Sequence, residues 1–175
     1  MKKIFLILSL LFVADALVLG QASSNHAESK YRFEKISSIE ATPVLSQGMS
    51  GTCWSFSALS FFESEIMRIK KEQIVLSEMF IVRHAYSEKA VKYIRMDGKI
   101  NFGEGGAFHD IPFILSRYGI VPASVYSGLR PDEEKINHKE MFTVLDGFVG
   151  GVLKTVESLK KSETLSLVWR DALQG

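Results

Sequence analysis

The only cysteine of the chain, Cys53, stands where a glycine-rich turn, QGMSG, meets the long apolar run CWSFSALSFFESEIMRIKK. Gly48 and Gly51 allow unusual backbone angles, and the run that follows has helix-forming composition, so the thiol is placed at a helix N-terminus. Unpaired backbone N–H groups and the positive end of the macrodipole favour a thiolate there, which is the nucleophilic form of cysteine. Gln47 lies six positions before Cys53. Across a tight turn its side-chain amide can point at the thiol and donate to a developing oxyanion. A lone cysteine opening a core helix also has an inert reading, as a small buried hydrophobe.

Nucleophilic thiol chemistry also needs an imidazole to carry the proton and an amide to orient that ring. The chain has four histidines. His26 falls in a small, polar lead, His84 and His109 within helical patterns, and His138 in the charged turn RPDEEKINH. None has the apolar, strand-like setting that would hold a ring rigidly against Cys53. His109 and Asp110 have no third metal ligand at suitable spacing, so no metal is expected. NFGEGG, residues 101–106, is weak as a phosphate cradle because neither a Walker lysine nor a dinucleotide-binding acid accompanies it.

The elements that must position these groups follow from punctuation and periodicity. A first helix runs from about Thr52 to Lys71. Ser77 is the expected N-cap of a second, with Glu78 in its first turn. A third follows the glycine-rich loop; Pro112 should kink or shorten its first turn, Gly119 should cap it, and Pro122 bars continuation. From Glu140 onward, Met141, Leu145, Phe148, Val152, Val156 and Leu159 keep helical spacing, weakened by Gly147, Gly150 and Gly151. A last helical pattern starts near Leu165. Residues 31–45 read as an extended approach to the catalytic turn.

The 175 residues suit one domain, with 46% hydrophobic residues and a net charge of +1. Basic residues form no block, so nucleic acid is not an expected partner. A single cysteine excludes an intrachain disulfide. Residues 1–20 read as a signal peptide: Lys2 and Lys3, an apolar run from Ile4 to Val13, and a small-residue exit at Gly20. The run falls short of the ~20 residues a spanning helix needs, so the mature chain should be exported, begin near Gln21 and keep no membrane anchor.

Gln47, Gly51, Cys53 and Trp54 together resemble the active-site signature of papain-like cysteine peptidases. LSE at 76–78, the pair Gly105-Gly106 and YGIVP at 118–122 extend the resemblance over about 47–129. LSEMF followed by GGAFHD, with Ser50 where many secreted relatives carry a disulfide cysteine, is similar to the bleomycin hydrolase and aminopeptidase C branch. The resemblance implies an α+β papain-like fold. Residues 21–175 would supply mainly its helical first lobe, with the strand-rich second lobe largely missing. It implies Cys53 as nucleophile and Gln47 as oxyanion donor. Trp54, on the buried central helix, and Gly105 and Gly106 would be substrate-binding residues. The glycine backbone would bond an extended peptide as an added strand does, so a β-branched residue at Gly106 should impair peptide binding more than folding.

The implied activity is peptide-bond hydrolysis, in an aminopeptidase, through an acyl-enzyme and without a cofactor. The family's histidine and asparagine come from the second lobe, and neither context occurs here, so the chain alone should be inactive. Apolar surface left by that lobe would favour pairing with another chain, including a second copy. Two other readings remain open. One is a non-catalytic homologue that binds peptides or a partner chain. The other is a transglutaminase-like or cell-wall amidase domain, against which Gln47 and the glycine pair argue.

Overall fold

The computed structural model describes residues 27–159 and 164–174, so the signal peptide expected at 1–20 and His26 lie outside the described residues. The chain divides into a leading unit that ends at Ser38 and a body that begins at Ile39. In the leading unit, residues 31–38 have no regular secondary structure. The body is built on five helices: α1 (Cys53–Lys70), α2 (Glu78–Arg95), α3 (Asp110–Tyr118), α4 (Lys139–Ser158) and α5 (Val168–Gln174). Among the described residues there is no extended sheet. Two isolated bridges occur, Met49 with Asn137 in parallel and Leu76 with Pro122 in antiparallel sense. The described residues therefore make a helical body with no strand-rich layer among them.

α1 forms because its apolar residues recur one turn apart. Trp54, Ala58 and Leu59 face inward, while Cys53, Ser57 and Phe61 face out. It ends at Lys71, in the left-handed conformation at φ 61°, with Arg68 and Lys70 in its last turn near the negative helix end. α2 starts as its sequence dictates, with Ser77 Oγ accepting from Phe80 N at 3.0 Å.

The hub of the body is α2, which packs against α1, α3, α4 and α5, rather than the cysteine-bearing helix expected to be central. Its alternating small and branched residues, Ile81, Val82, Ala85 and Ala90, let neighbours approach closely. With Leu59, Ile111 and Ile114 they form cores from which water is excluded. Each fully buried Ile, Leu or Val side chain among them contributes about 1.5–3 kcal/mol.

Pro112 does not distort α3. The helix begins at Asp110, so Pro112 is its third residue, where the missing N–H has no intrahelical acceptor to lose. Gly119 closes α3 at φ 76° with its N–H on Leu115 O. The glycines of α4 face open space, so that helix is set by its apolar stripe: Val149 is fully buried and Phe142 stacks on Phe102.

Candidate active site

Cys53 is the first residue of α1 and is exposed. The turn before it is held at several points. Gly48 takes φ 62°, a left-handed conformation that favours glycine. Met49 N donates to Ile136 O at 2.8 Å and His138 N to Met49 O at 3.0 Å, so the segment entering α4 clamps the turn. Ser50 Oγ donates to Gln47 O at 2.8 Å and lies 2.6 Å from Thr52 Oγ1, bracing the turn from within. Gln47 Nε2 donates to Ser50 O at 2.7 Å. That bond uses one of the two amide hydrogens and fixes the side chain within the turn before Cys53.

Glu104, which the sequence pattern did not single out, binds the turn on both sides of the thiol. Its Oε2 accepts from Gly51 N at 2.6 Å, and its backbone oxygen accepts from Trp54 Nε1 at 3.0 Å. Trp54 is 7% exposed and belongs to the core. A Cβ on Gly106 would sit 2.6 Å from its ring atoms Cδ2 and Cε2, so Gly106 rests directly on the indole. Gly105 has open space around it, and its carbonyl accepts from Lys89 Nζ. The Lys89 ammonium also lies 5.2 Å above the Trp54 ring, a cation–π contact. Burial lowers the Lys89 pKa, opposed by the charge of Asp110. A groove of about 750 Å³ runs along Gly105, Gly106 and Ala107 between α2 and α3.

The contact between Gly106 and Trp54 corrects the expected effect of filling that position. Gly106→Val drives a branched carbon into a buried ring, and overpacking of this kind costs about 1–3 kcal/mol. The expected result is a lower urea midpoint together with altered tryptophan emission, before any peptide is added. A variant as stable as wild type would show that the indole moves aside at no cost.

His138, expected in a charged turn, is buried. The residue is 8% exposed, with Nδ1 3.4 Å from Tyr86 Oη and 3.8 Å from Glu104 Oε2. Burial pushes the Tyr86 phenol up, so it keeps its proton and can donate to a neutral imidazole. His84 lies in α2, stacked on Tyr118 at 4.1 Å and edge-on to Phe80 at 4.5 Å. His109 is exposed, 3.5 Å from Asp110. None of these three rings bonds Cys53 in the described residues. No cluster of three metal-ligating side chains occurs among those residues either.

Burial lowers the pKa of both His138 and His84. For His138 the charges of Glu104 and Glu133 oppose the shift; for His84 the charge of Arg83 adds to it. A histidine whose folded pKa is depressed leaves the unfolded state binding more protons, so its stability is full above the unfolded value of about 6.5 and is lost as pH falls toward the folded one. Glu78 works in the opposite sense at lower pH, because burial raises its pKa. The urea midpoint should therefore fall from pH 7 to pH 5.5, and His138→Gln should flatten that slope. An unchanged slope would remove His138 from this role.

The family model described as papain family cysteine protease matches residues 30–101, which include Gln47, Cys53 and Trp54. That stretch is similar to the papain family, and the helical body has a papain-like fold. Among solved structures the chain is similar to pepw from Lactobacillus rhamnosis HN001 (DR20), with a TM-score of 0.53 and 20% identity. The match covers 78% of this chain and 34% of that one, so the chain spans about a third of its neighbour's length. No curated protein matches the sequence. Gly105 and Gly106 lie beyond the matched residues.

Proposed function

We propose that the chain supplies the nucleophile-bearing lobe of a cysteine peptidase of the bleomycin hydrolase and aminopeptidase C branch, exported through residues 1–20. The observation that carries this reading is the exposed Cys53 at the N-terminus of α1, behind a turn that also fixes Gln47. Cys53 attacks the peptide carbonyl carbon as the thiolate. The tetrahedral oxyanion is met by the Gln47 amide and the N–H groups at the start of α1, the amine leaves with a proton, and water releases the acyl group. The extended peptide lies along Gly105 and Gly106. Trp54 serves the substrate indirectly, as the support beneath Gly106. The imidazole and its orienting amide come from a strand-rich second lobe.

The test is made on the chain extended by a histidine-bearing second lobe, with an aminoacyl substrate. Cys53→Ala should abolish turnover and leave the fold intact. Gln47→Ala should leave alkylation of Cys53 largely unchanged and lower kcat by roughly two to three orders of magnitude, the usual loss for one oxyanion donor. Equal activity of Gln47→Ala and wild type would remove Gln47 from the oxyanion site.

A further inference from the structure

We propose that Glu104 is a positioning residue for Cys53, one that sets both the aim of the thiol and how readily it ionises. The proposal rests on the reading of Cys53 as the nucleophile. Glu104 holds the residue two before the thiol through its carboxylate, at 2.6 Å from Gly51 N, and the residue after it through its carbonyl, at 3.0 Å from Trp54 Nε1. One residue therefore spans the junction at which turn becomes helix. The fit is close: a Cβ on Gly51 would lie 2.8 Å from Glu104 Cβ, so Gly51 is glycine in order that Glu104 can lie against it.

Two consequences follow. Gly51 N–H is occupied, so it cannot compete with the Gln47 amide and the first N–H groups of α1 for a substrate oxyanion. The carboxylate also sits close before the N-terminus of α1, where its negative charge competes with a thiolate for the positive end of the helix. An amide in its place would keep the bond to Gly51 and remove the competing charge. The charged and titratable groups that face Glu104 are His138, 3.8 Å from Oε2, Tyr86 on α2, and Lys89, whose ammonium bonds the carbonyl of the adjoining Gly105.

The experiment uses the 175-residue chain and two readouts that need no turnover: hydrogen exchange at the Gly51 amide, and the pH dependence of Cys53 alkylation by iodoacetamide. Glu104→Ala should speed Gly51 exchange by roughly ten- to hundredfold, as loss of a charge-assisted hydrogen bond does. Glu104→Gln should keep most of the protection and move the alkylation midpoint down by a few tenths to about one pH unit, the scale of removing one partly screened charge near a helix N-terminus. A merely structural role would lower stability and leave that midpoint in place. If Glu104→Ala does not fold, Glu104→Asp, which draws the carboxylate back by one methylene, is read for Gly51 exchange instead. Unchanged Gly51 exchange in the folded variant, or an unmoved midpoint in Glu104→Gln, overturns the proposal. Turnover that survives Cys53→Ala in the two-lobed enzyme would sink the nucleophile reading and leave the exchange result standing, so the two failures are distinguishable.

Discussion

Residues 21–175, given a fluorogenic aminoacyl substrate, are expected to show no Cys53-dependent multiple turnover, although the thiol itself reacts with iodoacetamide. The reason is where the described histidines sit. His84 is held between Tyr118 and Phe80, His138 is buried against Tyr86 and Glu104, and His109 pairs with Asp110 at the start of α3. None can share a proton with Cys53 without leaving its present partners. Without that base the thiol keeps only the helix-terminus contribution, and no group activates water against an acyl-enzyme. In a comparable catalytic triad, removing the histidine alone costs about six orders of magnitude in kcat. Turnover that is lost in Cys53→Ala would refute this expectation and require one of the four histidines to be the base.

The second large effect is expected at Gly48→Ala. A Cβ there would fall 2.2 Å from the Ile136 carbonyl oxygen, which already accepts from Met49 N, and φ is 62°. Both the left-handed conformation and the backbone clash act on one residue, and neither neighbour is a flexible side chain that can swing away. Strain of this kind costs about 1–3 kcal/mol before the clash is counted, so a loss of roughly 3 kcal/mol or more is expected from urea unfolding. Because the clash pushes the Ile136–His138 segment off the turn before Cys53, Cys53 alkylation should change as well. A midpoint within error of wild type would mean that the bridge between Met49 and Asn137 is dispensable.

Local chemistry made much of this protein legible in its sequence. Cys53 at a helix start, Ser77 as an N-cap and Gly119 as a helix end depend on residues within a few positions of one another, and each stands where its own neighbours dictate. The papain-family signature around Cys53 is local in the same sense. What the sequence could not reveal are the partners brought in from a distance. Glu104 reaches Gly51 across 53 positions and Trp54 across 50, Ile136 and His138 close on Met49, and Glu63 is buried on α1, accepting from Leu76 N at 2.7 Å. Glu104 lies in a loop and His138 in a charged run, where composition predicts solvation. His138 became buried and Glu104 became a partner of the turn because the packing of α2 against its neighbours brings those loops onto the residues before Cys53. The same packing gave Gly106 a role that its sequence did not show, leaving room for the Trp54 ring. Periodicity reports which face of a helix is apolar, but only tertiary structure decides which residue that face meets.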